Sequence, residues 1–109
     1  MLLLMILLAS FFYPYAMEKK FQIIRDIDYF NFGNFHLENK EWERSEHYYL
    51  SALKITPRYL PAINYLAFSH YLKGEYSRSE RLWKRSQSIN PSQKGIQEWI
   101  DKTRLKQKD

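Results

Sequence analysis

The sequence contains no cysteine, which excludes disulfide bonds, thiolate metal sites and cysteine-linked lipids. It has only three glycines, and they are too scattered to form a loop that cradles a phosphate. No H-E-x-x-H or comparable ligand spacing surrounds its three histidines. We therefore expect no catalytic residues, no metal site and no cofactor, and we predict that the protein is not an enzyme.

Long apolar runs are also scarce, and the clearest one lies at the N-terminus. Residues 2–16 are apolar or aromatic apart from Ser10. This run is shorter than the roughly 20 residues of a membrane-spanning helix and has the length of a signal-peptide core. No basic residue precedes it, and Pro14 makes cleavage after Ala16 a poor match. We expect residues 1–16 to export or anchor the chain, which predicts a membrane-associated or exported protein. The alternative is a cytoplasmic protein.

In the rest of the chain, one pattern of large and small residues occurs twice. The second copy follows the first at a fixed offset in the sequence, equal to the separation between Tyr29 and Ile63. An offset of this size indicates tandem copies of one small structural unit. The order of large and small residues in both copies resembles the tetratricopeptide-repeat (TPR) pattern over about residues 26–93. The repeat consists of Tyr29, Phe32, Gly33, His36, Ser45, Tyr49 and Pro57, which recur as Ile63, Leu66, Ala67, His70, Ser79, Trp83 and Pro91.

The resemblance implies an all-α solenoid of helical hairpins, with two repeats and a C-terminal capping helix. Each copy is predicted to form two antiparallel helices, and the second helices should stop before Pro57 and Pro91 because the residue before proline avoids the α region. The capping helix is predicted from about Ser92, as N-cap, to Lys106. The predicted segments are an apolar signal or anchor (1–16), a linker or N-terminal helical extension (17–25), repeat 1 (26–59), repeat 2 (60–93), and the capping helix with its basic tail (94–109).

Small residues are predicted at the contact between the two helices of each copy. Short side chains allow helix axes to approach to about 8 Å rather than 10 Å. The residues in question are Gly33 and Ala67 on the first helices, with Ser45, Ala52, Ser79 and Ser86 on the second.

His36 and His70 occupy equivalent positions in the two copies, where the family pattern usually has an aromatic residue. This equivalence favours a packing role for both side chains over metal binding.

The family resemblance also implies a binding surface, because the first helices of TPR hairpins line a groove that accepts segments of other proteins. We therefore predict a non-catalytic interaction adaptor whose partner is a protein or peptide of unknown identity. Aromatic side chains on this surface favour an apolar or amphipathic ligand. The alternative is that the chain's own N-terminal segment or a second copy covers the surface. In-register positions give Phe30, Asn34, Leu37, Asn64, Phe68 and Tyr71.

The net charge of +5 is unevenly distributed. Residues 1–57 carry 6 basic and 7 acidic residues, whereas residues 58–109 carry 11 and 5. A basic surface could contact anionic lipid or nucleic acid, although a solvated face explains it more simply and nucleic acid is disfavoured. Self-association into a homo-oligomeric structural subunit is a further alternative, since solenoids usually need about three repeats. The basic surface comprises Arg78, Arg81, Lys84 and Arg85.

Overall fold

The computed structural model describes residues 1–7 and 24–108, and within these two ranges the chain is helical with short connecting turns and no strand. The all-α prediction is therefore confirmed for the described residues. Predictions that fall on residues 8–23, including most of the apolar run, lie outside them. The helices are α1 (2–7), α2 (Asp26–Glu38), α3 (Trp42–Ile55), α4 (Leu60–Leu72), α5 (Tyr76–Ile89) and α6 (Ile96–Lys108).

Helix α1 carries the start of the apolar run, and its side chains from Leu2 to Leu7 are exposed. Among residues 1–7 and 24–108, no helix is both long enough and apolar enough to cross a membrane.

The helix boundaries repeat with the same offset as the sequence. Helix α4 begins and ends one repeat offset after α2, and α5 begins and ends one repeat offset after α3. The connecting turns repeat as well. Lys40 and Gly74 both have left-handed backbones, with φ of 58° and 80°. In each turn the following residue, Glu41 or Glu75, donates its N–H to a histidine carbonyl at 2.9 Å. Glycine adopts this conformation without the steric cost that lysine incurs.

The second helix of each copy ends where proline requires it to end. Thr56, before Pro57, is extended at φ −131° and ψ 90°. Asn90, before Pro91, is extended at φ −142° and ψ 94°. Both predicted stops are therefore confirmed, and the cause is the steric exclusion of the α region before proline.

The core is formed by successive helices packed on one another: α2 on α3, α3 on α4, α4 on α5, and α5 on α6. Phe68 and Leu82 pack against both halves of this core, so the two halves are continuous. The first half contains Leu37, Tyr49, Ala52, Leu53, Ala62, Ile63 and Leu66, and the second contains Ala67, Trp83, Ile96 and Ile100.

Small residues lie at the helix contacts as predicted. A Cβ atom at Gly33 would stand 2.5 Å from Cε1 of Tyr49, so only glycine fits beneath that ring. In the second copy Ser79 Oγ donates to the Ala67 carbonyl at 2.8 Å. The remaining predicted positions, Ser45, Ala52 and Ser86, are fully buried.

The last helix, α6, begins later than predicted. It starts at Ile96 rather than Ser92, and Ser92 is not its N-cap. The Ser92 N–H and Oγ both bind Asn90 Oδ1, at 3.1 and 2.7 Å, which holds this segment in a turn. Gly95 then adopts a left-handed φ of 80° immediately before the helix. The turn chemistry of Asn90 therefore outweighs the capping tendency of Ser92.

Segment 17–25 was expected to be a linker or an N-terminal helical extension, and its two described residues, 24 and 25, are not helical. Arg25 has an extended backbone, and its N–H donates to Asp28 Oδ2 at 2.9 Å. Asp26 is fixed to the end of α3, since Thr56 Oγ1 donates to its carboxylate at 2.6 Å. This hydrogen bond lowers the pKa of Asp26. These contacts set the start of α2 at Asp26.

Candidate functional site

A hollow of about 320 Å³ opens where α4, α5 and α6 meet. Aromatic rings form most of its wall: Phe68 lies 5.4 Å from Trp99 between ring centroids, and Trp83 stacks on Trp99 at 5.3 Å. Two of the predicted binding residues, Asn64 and Phe68, therefore share one concavity. We call this concavity the α4–α6 hollow, and its lining is Asn64, Tyr65, Phe68, Trp83, Gln93, Lys94, Ile96 and Trp99.

The polar end of the α4–α6 hollow is a fixed amide network. Asn64 Nδ2 donates to Gln93 Oε1 at 3.0 Å, and Asn64 Oδ1 accepts from Ser86 Oγ. Gln93 Nε2 donates to the carbonyls of Ser86 and Asn90 at 3.1 and 3.0 Å. These bonds determine which way each amide points. The hollow therefore presents a preset polar edge beside its aromatic wall.

The charge at the hollow is positive. Lys94 is exposed on its lining, and no carboxylate of residues 24–108 lies within ion-pair distance of its ammonium group. Lys102 lies over the Trp99 ring, 4.7 Å from its centroid. A cation over an indole face is held by the ring quadrupole. An acidic group at the mouth of the hollow would therefore be favoured electrostatically.

The predicted residues of the first copy are not among those that line the hollow. Phe30 packs edge-on against Tyr65 at 5.2 Å, which connects the first copy to the hollow's wall. Asn34 accepts a hydrogen bond of 2.6 Å from the Tyr49 hydroxyl. Leu37 is buried in the core and has little surface to offer a partner. Of these three residues, Phe30 is thus the best placed to extend the aromatic wall of the α4–α6 hollow.

Burial raises the pKa of Tyr49 to about 12. The folded state favours the neutral phenol, so this contribution to stability is present below pH 10 and is lost as pH rises through about 12. We expect a spectrophotometric titration to show a tyrosinate component near pH 12 that Tyr49→Phe removes. A titration unchanged by Tyr49→Phe would contradict the buried environment of this side chain.

Tyr71, the last predicted residue, packs against Trp99 of α6 and Tyr76 of α5, each at 5.5 Å. It lies next to the hollow. Most of the lining, including Trp83 and Trp99, is absent from the binding residues that the sequence predicted. One signal could have found Trp99: it follows Tyr65 by one repeat offset, so both take the same place on successive first helices.

The predicted basic surface on α5 is largely partnered. Arg78 pairs with Glu75 at 3.6 Å, and Lys84 pairs with Glu80 at 3.6 Å. Arg85 donates to the Pro57 carbonyl at 2.7 Å. Arg81 is exposed beside Arg78 and Arg85 at a second hollow. Two of the four cations are therefore ion-paired, and the carboxylates that pair with them also contact Lys73 and Arg104.

The two equivalent histidines are packed side chains. His70 is buried, with its Nδ1 2.8 Å from Glu75 Oε2. Lys73 and His70 together lower the pKa of Glu75. His36 stacks on Tyr48 at 5.2 Å, and its Nδ1 is 3.5 Å from Glu41. Among the described residues, no three His, Cys, Asp or Glu side chains gather closely enough to hold a metal ion.

No protein-family model matches the sequence, and comparison with curated proteins gives no significant match.

Proposed function

We propose that the chain is a TPR-like solenoid of two repeats and a C-terminal capping helix, and that it acts as a non-catalytic adaptor. A protein segment docks on the surface formed by the first helix of each copy and α6. The observation that carries this proposal is the α4–α6 hollow, in which aromatic rings and a fixed polar edge converge.

The repeat interpretation is supported by agreement at three levels. Sequence positions, helix boundaries and turn hydrogen bonds all recur at one offset. Small residues lie at equivalent helix contacts in both copies. Tandem units of this size cannot bury their apolar faces alone and therefore stack.

The lining of the hollow defines the chemistry of the partner segment. An apolar or aromatic side chain would fill the space between Tyr65, Phe68 and Trp99. The backbone of the segment would meet the Asn64–Gln93 edge. Lys94 favours an acidic residue near the inserted side chain. The preferred ligand is thus a short segment with one large apolar residue and a neighbouring carboxylate.

The test is a selection from a display library of random short peptides against the full chain. We expect enriched peptides that share a large apolar residue next to an acidic one. Tyr65→Ser should weaken their binding by at least tenfold, because Tyr65 is exposed and lines the hollow. Removal of such an aromatic anchor typically costs about 2 kcal/mol or more.

Leu50→Ser is the matched control. Leu50 is exposed to a similar extent as Tyr65 but lies on α3, outside the α4–α6 hollow. It should leave peptide binding unchanged. Peptides that lose affinity with Leu50→Ser but not with Tyr65→Ser would show that the partner docks elsewhere.

We further propose that residues 1–16 export the chain or tether it to a membrane. The exposed apolar side chains of α1 support this proposal. Intact mass of the fractionated full chain separates the possibilities: a membrane-bound full-length species, or a species cut near Ala16. A full-length chain found only in the cytosol would contradict both.

A further inference from the structure

A second aromatic surface lies at the opposite end of the helical stack from α6. Tyr48 of α3 is its centre: it stacks on His36 at 5.2 Å and on Tyr29 at 6.3 Å. Phe32 meets the Tyr48 ring edge-on at 5.5 Å, and Phe35 meets the His36 ring at 5.3 Å. We call this surface the α2 edge.

Side chains of the α2 edge can be compared with their counterparts one repeat offset later, which are buried in the second copy. Phe32 is 46% exposed, whereas its counterpart Leu66 is 3% exposed. Phe35 is 61% exposed, whereas its counterpart Ser69 is 2% exposed. The first copy therefore exposes large aromatic residues at positions that are closed in the second copy.

Helix α3 packs on this side of the second copy. Leu66 belongs to the same packed cluster as Ala52 and Leu53 of α3. Glu46 of α3 also approaches the buried His70, at 4.0 Å. No helix among residues 24–108 performs this role for the α2 edge, because α2 is the first helix of that range. Exposed aromatic patches of this kind mark interaction sites.

We propose that the occupant of the α2 edge is a second copy of this chain, bound through the same edge in a two-fold symmetric dimer. The edge is self-complementary in shape. Phe35 projects from it, and a hollow of about 320 Å³ lies on the same edge beside His36 and Tyr48. In a two-fold dimer, each Phe35 enters the hollow of the other copy.

Charge at the edge is complementary in the same way. Glu43 and Arg44 both line the hollow, so each copy offers one acidic and one basic group to its partner. Within its own chain, exposed Arg44 pairs with Glu41 at 3.2 Å, and an exposed pair of this kind contributes little stability and can be exchanged for a contact with the partner. A two-fold axis places Glu43 of one copy opposite Arg44 of the other without bringing like charges together. Both side chains are exposed in the single chain.

The charge of the whole chain favours this edge over the other end. Residues 58–109 have 11 basic and 5 acidic residues, whereas residues 1–57 have 6 and 7. A dimer joined at the α2 edge keeps the two basic halves apart. At the other end, α6 exposes mainly polar and charged side chains, with Leu105 as its exposed large apolar residue. That end offers little apolar area for a second copy.

Sedimentation equilibrium of the full chain over a wide concentration range tests the dimer. We expect a monomer–dimer equilibrium whose dissociation constant rises at least tenfold with Phe35→Glu. The substitution places a carboxylate at both symmetry-related contacts. Leu105→Glu makes the same change at an even more exposed position, 64%, and should leave the equilibrium unchanged.

Each remaining outcome decides against the dimer proposal. A strict monomer at all concentrations would overturn it. Association that persists in Phe35→Glu, or is lost in Leu105→Glu, would assign self-association to another surface such as α1. If Phe35→Glu lowers the helical circular dichroism signal, sedimentation of Phe35→Ser is measured in its place and interpreted in the same way. Peptide binding at the α4–α6 hollow is a separate measurement, so either proposal can fail alone.

Discussion

Replacing Trp83 by alanine is expected to lower the free energy of unfolding by about 3–5 kcal/mol, the range for removing a buried tryptophan or phenylalanine. Trp83 is buried, belongs to the second half of the core and stacks on Trp99 of α6. Its loss would leave a cavity where α5 and α6 meet. Since a domain of this size has about 5–15 kcal/mol of total stability, urea denaturation should show a much lower midpoint.

Trp83→Phe separates packing from hydrogen bonding at this position. The Trp83 indole N–H has no hydrogen-bond partner within the described part of the chain, and an unsatisfied buried donor costs about 1–3 kcal/mol. Phenylalanine keeps most of the ring and removes that donor. Trp83→Phe should therefore lower the free energy of unfolding by less than half as much as Trp83→Ala. Equal losses of unfolding free energy for the two variants would contradict a site in which the indole N–H is unpaired.

Replacing Gly33 by alanine is expected to destabilise the protein even though it improves helix propensity. The propensity gain within a helix is about 1 kcal/mol. Overpacking costs about 1–3 kcal/mol, and the new Cβ would lie 2.5 Å from the Tyr49 ring. Tyr49 is fully buried and its hydroxyl is bonded to Asn34, so the ring has little freedom to move away. The free energy of unfolding from denaturant titration checks the sign.

The second copy supplies the control for Gly33→Ala. Ala67 is the equivalent residue, and Ala67→Gly should cost the propensity difference of about 1 kcal/mol plus about 0.8 kcal/mol for the loss of its buried methyl group. In a Tyr49→Leu background, Gly33→Ala should become neutral or stabilising because the ring is gone. If the effects of Gly33→Ala and Tyr49→Leu are simply additive, the steric explanation is wrong.

The helices were predictable because their signals are local. Pro57 and Pro91 fix the ends of the second helices through the sterics of a single peptide unit. The offset between Gly33 and Ala67 identifies the helix contacts, since small residues at equivalent places have one common geometric explanation. The start of α6 was missed because Asn90 binds Ser92 in a turn, a side-chain choice that spacing alone does not reveal.

The lining of the α4–α6 hollow was predictable only in part. Asn64 and Phe68 were found because register on the first helices suffices to place them. Lys94 and Gln93 were not, because they lie in the turn before α6, where register does not apply. The contrast between exposed Phe35 and its buried counterpart Ser69 was not predictable either. Ser69 is small and polar, so its residue type does not indicate burial.

The most direct test of the adaptor proposal uses the chain's three tryptophans, whose indole N–H groups give separate signals in a ¹⁵N–¹H correlation spectrum. Trp99 and Trp83 line the α4–α6 hollow, whereas Trp42 lines a different concavity beside Glu41 and Lys73. Titration with a peptide from the display selection should shift the Trp99 signal most and leave Trp42 in place. A peptide that shifts Trp42 while Trp99 and Trp83 stay fixed would contradict docking at this hollow.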